Sequence, residues 1–170
     1  MTFYGGAIGG VSVGYVYCRL KKISAWVAMD LGIPALMLGL CLGRIGCFLN
    51  GDDFGKPVLV HDNLAPWWSV TFPVLNDGVA RYPVQIYESL FGLALALLGV
   101  YVLKYANFKR GTLGVATLSL YAVGRWILET YRGDDRGYLF ESIFSPSQTV
   151  SLMILAVCAL LFVKLRVGNA

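Results

Sequence analysis

"GRIGCFLNGDDFG", residues 43–55, follows some twenty mostly apolar residues. It reads as the outer end of a membrane-spanning helix. Arg44 is then placed at the edge of a hydrocarbon layer, with Asn50, Asp52 and Asp53 following among glycines where the chain meets water or a polar ligand.

The rest of the chain agrees with a membrane setting. Of its 170 residues, 57% are hydrophobic and 14% charged, and the mean hydropathy is +0.65. A soluble domain carries roughly 25% charged residues. The length suits one integral-membrane domain over residues 1–170. Five apolar stretches, about 2–18, 24–43, 84–103, 111–129 and 148–163, approach or reach the ~17–25 residues that cross a bilayer. They are apolar nearly all round, which excludes the polar faces of a soluble bundle. The expected fold is all-α: a polytopic membrane helical bundle of about five transmembrane helices.

Charge placement orients that bundle. Arg19, Lys21 and Lys22 lie between spans one and two; Lys104, Lys109 and Arg110 lie between spans three and four; Lys164 and Arg166 follow span five. None of these three regions holds an acidic residue. The positive-inside rule puts the N-terminus outside, the C-terminus inside, and two carboxylate-bearing loops, about 46–82 and 130–146, outside. Loop bias and anionic head groups account for the net charge of +4, so nucleic acid is not an expected partner. Cys18, Cys41, Cys47 and Cys158 are scattered without CxxC spacing and read as packing residues, not metal ligands. Neither a metal nor a cofactor is expected. Met1 to Gly10 lacks the basic region and cleavage site of a signal peptide. Trp67 and Trp68 suit the membrane–water interface, and residues 65–70 are expected along the head-group layer.

Ionisable groups in or at the ends of spans are Asp30, Arg44, Glu88, Arg125 and Glu129. Each is costly in hydrocarbon and so needs a reason to be there. Tyr121, Arg125 and Glu129 follow at i, i+4, i+8, with Arg132 three further on, and share one helical face. The third span opens on "RYPVQIYES" (81–89), where Gln85 and Glu88 are i, i+3 neighbours beside Tyr87. Two readings remain open at this point. One is a network of ion pairs tying helices together, such as Arg125 with Glu129. The other is an anion site, since guanidinium groups bind phosphate in a bidentate way and stay charged in apolar surroundings. The glycines beside Arg44 would let backbone N–H groups approach the same anion. The second reading gives a protein that holds an anionic phospholipid head group near its outer surface.

These residues also resemble a family. "GRIGCFLNGDDFG" is similar to the GRxGNFxNxExxG signature of the bacterial prolipoprotein diacylglyceryl transferases, and "RYPVQIYES" to their RHPxQLYE segment. "YAVGRWILETYRGDD" (121–135) resembles YGxxRFxxExxRxPD, "FYGGAIGG" (3–10) resembles FHGGxxG, and "SPSQTVS" (145–151) resembles a late GQxxS element. The five matches come in the family's order across nearly the whole chain. The resemblance implies a multi-pass protein of the bacterial plasma (inner) membrane. It would move diacylglyceryl from phosphatidylglycerol to the lipobox cysteine of a prolipoprotein, among membrane lipids. It puts catalytic roles on Arg44, Arg125, Glu129 and Tyr4. Substrate binding falls to Asn50, Asp52, Gly55, Gln85, Glu88 and Tyr121, to which the placement of the polar residues adds Tyr87 and Arg132.

The pattern also departs from that family. Tyr4 and Tyr82 stand where its two histidines stand, Cys47 replaces an asparagine and Asp52 a glutamate. A tyrosine, with a pKa of about 10 against about 6.5 for histidine, is a poor base at pH 7. His61, the only histidine, reads as an exposed loop residue rather than a substitute base, and Cys47 as a packing residue rather than a nucleophile. Family members carry roughly a hundred further residues at their start. A truncated gene, a minimal homologue and a partner chain supplying that region are the three readings of the difference. Two alternative activities follow from the departures: a divergent homologue serving another acceptor, and a non-catalytic phospholipid-binding subunit.

Overall fold

A computed structural model describes residues 2–58, 65–133 and 145–167, with the side chains of residues 2–4, 7, 8 and 167 outside that description. Five helices make up most of it: α1 (Thr2–Leu20), α2 (Ala25–Asn50), α3 (Val84–Tyr105), α4 (Thr112–Glu129) and α5 (Pro146–Val167). Between α2 and α3 a two-stranded antiparallel ribbon pairs β1 (Val70–Thr71) with β2 (Ala80–Arg81) around a single 3₁₀ turn, Pro73–Leu75. The all-α expectation holds for the bundle. Among the described residues, α2, α3 and α5 are long and apolar enough to cross a membrane. The 18-residue α4 carries Arg125 and Glu129 within its own length, which lowers its apolarity.

One boundary differs from the sequence reading in a way that moves the site. Span two was expected to end near residue 43, but α2 continues to Asn50. Gly43 and Gly46 do not stop it, because glycine weakens a helix without breaking it. The stop is Gly51, in the left-handed conformation at φ 78°. Its N–H bonds back to Phe48, while the Asp52 N–H reaches the Cys47 carbonyl at 3.0 Å, a Schellman-type termination. Arg44 is therefore a helical residue, six positions or roughly 9 Å of rise before the helix end. The loop after α2, expected from about residue 46, begins at Gly51. Residues 65–69 turn into β1, with Trp67 almost fully exposed and the Trp68 ring centroid 5.1 Å from that of Tyr82.

Small residues set how closely α2 and α3 approach. Ser89, Gly92, Ala96 and Gly99 recur on the buried side of α3. A Cβ at Gly92 would lie 3.1 Å from the Met37 carbonyl, and one at Gly99 would lie 2.9 Å from the Pro34 ring. Close backbone approach replaces side-chain interdigitation here, the usual solution where lipid removes the hydrophobic drive. Ile33, Met37, Leu95, Ala96 and Leu113 form the buried core alongside. Glu88, one turn before Gly92, is thereby brought against Arg44.

The start of α4 is fixed by Asp30, which is 4% exposed. Its carboxylate accepts the backbone N–H groups of Gly111 (2.5 Å) and Gly114 (2.8 Å). Those are orphan donors of a helix N-terminus, so α2 caps α4 from outside. Gly111 itself sits at φ 89°, under the Trp26 ring, where a Cβ would not fit.

Candidate active site

At the other end of the bundle, three arginines and three carboxylates among the described residues form one continuous cluster. Glu88 of α3 is the centre. One of its oxygens contacts Arg44 Nε of α2, and the other lies 2.7 Å from Arg125 Nη1 of α4. Arg125 Nη1 is also 2.8 Å from Glu129 Oε2, one turn along its own helix, and Arg125 Nη2 donates to Ser147 Oγ at 3.0 Å. Arg44 Nη1 contacts Asp53 Oδ2 at 2.5 Å, and the other Asp53 oxygen contacts Arg132 Nη2. All six side chains are less than one-fifth exposed.

The cluster balances three positive against three negative groups, which is how buried charges become tolerable. Removing one partner of such a pair leaves a buried charge unmatched, at about 3–5 kcal/mol. Arg125 Nη1 is held by charge alone: it, Glu88 Oε1 and Glu129 Oε2 are close but not aligned as hydrogen bonds. Among the described residues, Nη1 gives up no well-formed hydrogen bond in turning to a ligand oxygen, whereas Nη2 is bonded to Ser147.

Local sequence explains how each side chain is presented. Gln85, 1% exposed at the start of α3, donates from Nε2 to the Asp52 carbonyl at 2.7 Å and pins the loop behind α2. Its Oε1 is buried with no hydrogen-bond partner among the described residues. Gly55 pairs with Arg132 in a short backbone bridge, and its N–H reaches the Tyr82 carbonyl at 3.2 Å. A Cβ at Gly55 would collide with that carbonyl and with Val84. "SPSQ" (145–148) is a capping box at the head of α5. Ser145 Oγ accepts from the Gln148 N–H at 3.2 Å and Gln148 Oε1 accepts from the Ser145 N–H at 3.0 Å. The same Ser145 hydroxyl donates to Glu129 Oε1 at 2.8 Å, tying α5 to the cluster.

Among the residues singled out from sequence, Arg44, Glu88, Arg125, Glu129 and Arg132 meet in this cluster. Gln85 and Gly55 support its loop. Asp52 does not join: its side chain is exposed and turned to Asn50 Nδ2, and the adjacent Asp53 faces the arginines instead. Asn50, at the end of α2, is exposed with it. Tyr121 packs against the apolar core, and Tyr87 is about one-third exposed on the outer side of α3. The side chain of Tyr4, and all of His61, Asp134 and Asp135, lie outside the described residues. The ion-pair reading of Arg125 with Glu129 is correct as geometry; the arginines also share Glu88, which the spacing did not reveal. Asp53, Ser145 and Ser147 were missed. The S-x-x-Q box was a usable signal for the two serines; nothing in the sequence separates Asp53 from Asp52.

Comparison with known proteins is consistent with this arrangement. The family model for prolipoprotein diacylglyceryl transferase matches residues 1–164. A protein of Wolbachia pipientis named phosphatidylglycerol–prolipoprotein diacylglyceryl transferase is 34% identical over 168 residues, covering 95% of this chain and 61% of its own length. Proteins of the same name from Clostridium tetani (34% identical, 95% and 62% covered) and Bacillus cytotoxicus (30%, 100% and 63%) match similarly. The chain thus spans about three-fifths of the length of the curated relatives it matches. The matched region contains every residue of the arginine–carboxylate cluster, and the chain belongs to the prolipoprotein diacylglyceryl transferase family.

Proposed function

We propose that this chain transfers the diacylglyceryl group of phosphatidylglycerol to the cysteine sulfur of a prolipoprotein lipobox. In this reading it is a multi-pass protein of the bacterial plasma membrane, with five spans, its N-terminus outside and the cluster at the outer end. The observation that carries the proposal is Glu88 holding Arg44 and Arg125, from two different helices, side by side.

That geometry meets the needs of the reaction. The cysteine thiolate attacks the glyceryl carbon that bears the phosphate. A carbon–sulfur bond forms, the carbon–oxygen bond breaks, and the electron pair leaves on the phosphate of glycerol 1-phosphate. Negative charge grows on that phosphate, and the Arg44 and Arg125 guanidinium groups, once turned from their carboxylates towards it, stabilise the developing charge. The same cations favour ionisation of the incoming thiol. Glu129, anchored by Arg125 and Ser145, keeps the Arg125 fork oriented. Gln85 Oε1 is a buried acceptor in want of a donor, and a hydroxyl of the head-group glycerol would satisfy it.

The test is expression of the chain in a bacterial strain depleted of its own transferase, with mass spectrometry of its lipoproteins. Recovery of the diacylglyceryl modification supports the reading. Co-purified phosphatidylglycerol that is never consumed would replace it with a lipid-binding role, and a new adduct on other proteins would replace the acceptor.

A further inference from the structure

In the family signature matched above, the glutamate falls on Asp52, and Asp53 occupies a position the pattern leaves open. Yet Asp53 is the residue between two cations. One oxygen lies 2.5 Å from Arg44 Nη1 and the other contacts Arg132 Nη2. Two guanidinium groups bridged by two oxygens is the arrangement in which a phosphate is bound.

Charge balance shows why this carboxylate differs from the other two. Among the described residues, three guanidinium groups already face three carboxylates. A phosphate ester added to that set would leave net negative charge in a poorly solvated place, so one carboxylate must withdraw. Glu88 and Glu129 are only 6% and 7% exposed and stand on helices. Asp53 is 17% exposed and stands on the loop after α2, at φ 60°. The loop backbone on either side is held independently, at Asp52 by Gln85 and at Phe54 by the Gly133 N–H. Because the backbone on either side is held by other bonds, turning the Asp53 side chain away from Arg44 and Arg132 does not require the loop to move.

We propose that Asp53 is an anion placeholder. Its carboxylate occupies the Arg44–Arg132 gap until a phosphate ester arrives, withdraws to admit it, and competes again as the product phosphate leaves. This rests on the transferase reading only for the identity of the ester. The chemistry fits either a lipid head group or a free glycerol phosphate. The product monoester carries more negative charge than the lipid diester, so the two arginines would hold it harder. A competing carboxylate offsets that difference.

The experiment uses the full chain in nanodiscs of phosphatidylcholine and measures binding of free glycerol 1-phosphate. Nanodiscs containing phosphatidylglycerol form a second arm that reads the lipid head group. Asp53→Asn is expected to bind the free ester about tenfold tighter, the effect of removing one competing charge. It is also expected to unfold at a lower temperature without ligand and to regain that loss when the ester is added, which a purely structural carboxylate would not produce. Asp53→Glu keeps the charge and is expected to bind as the natural chain does. Asp53→Ser takes the place of Asp53→Asn if the latter does not fold. Unchanged or weaker ester binding by a folded, uncharged variant overturns the placeholder. Tighter binding in a protein that transfers nothing to a lipobox peptide would uphold the placeholder and sink the transferase reading. Transfer with unaltered ester affinity would do the reverse.

Discussion

Two carboxylates of this bundle are buried in apolar helices, and they are satisfied in opposite ways. Asp30, near the start of α2, accepts two backbone N–H groups from the head of α4. Glu88, near the start of α3, faces two guanidinium groups from α2 and α4. Backbone donors cannot turn away, so the Asp30 end is a fixed joint. Guanidinium groups on long side chains can exchange partners, so the Glu88 end can receive an anion. Along α2 the two ends are 14 residues apart, roughly 21 Å of helical rise. The same helix thus carries a fixed joint at one end and the proposed anion site at the other.

The strongest way to break the comparison is at the site end. Arg125→Gln leaves Glu88 and Glu129 without their shared cation. Stability is expected to fall by about 3–5 kcal/mol, and transfer by about 10²–10³ or more, read by thermal unfolding beside a lipobox-peptide assay. A variant with near-natural activity would show that the cluster is only a tie between helices. At the joint end, Asp30→Ala strands the Gly111 and Gly114 N–H groups and is expected to lower stability by about 2–3 kcal/mol. Activity per folded molecule should stay within about threefold, because the two ends are too far apart to couple directly. An activity loss as large as that of Arg125→Gln would erase the distinction between the ends. Asp30→Asn keeps one acceptor and should fall between the natural chain and Asp30→Ala in unfolding temperature.

The smallest effect lies outside the bundle. The Arg81 guanidinium beside Asp77, at 2.7 and 3.0 Å, holds the Asp77 carboxyl below its ordinary value of 3.8, helped by the Val79 N–H. A lowered folded pKa contributes stability that is present above the ordinary value and lost as pH falls through the lowered one. Asp77 is solvent-exposed, so Asp77→Asn should change the unfolding temperature little at neutral pH. The difference from the natural chain should vanish in acid. A large neutral-pH effect would mean that the loop ribbon, and not the two buried ends, governs stability.

What could be read from the sequence followed the same division. Arg44, Glu88, Arg125 and Glu129 stood out because charge inside an apolar run is conspicuous, and the i, i+4 spacing of Arg125 and Glu129 fixes their contact without reference to the rest of the fold. The partner of Asp30 was invisible, because Gly111 and Gly114 are more than 80 residues away and their contribution is backbone rather than side chain. The helix end was misplaced because Gly43 and Gly46 look like punctuation, whereas only Gly51 takes the left-handed conformation. Asp53 could not be told from Asp52 because two adjacent aspartates do not encode the loop backbone that presents them, including φ 60° at Asp53 and the Gln85 bond to the Asp52 carbonyl. The family pattern pointed to Asp52; in this chain the carboxylate facing Arg44 is its neighbour.

The most direct measurement of the central claim is single-turnover transfer by the purified full chain in phosphatidylglycerol nanodiscs. A synthetic lipobox peptide is supplied and followed by mass. The expected result is a diacylglyceryl adduct on the peptide cysteine, formed by the natural chain and lost in both Arg44→Gln and Arg125→Gln. An unmodified peptide with the natural chain, or equal rates in all three proteins, would contradict the assignment of this cluster as the site of transfer.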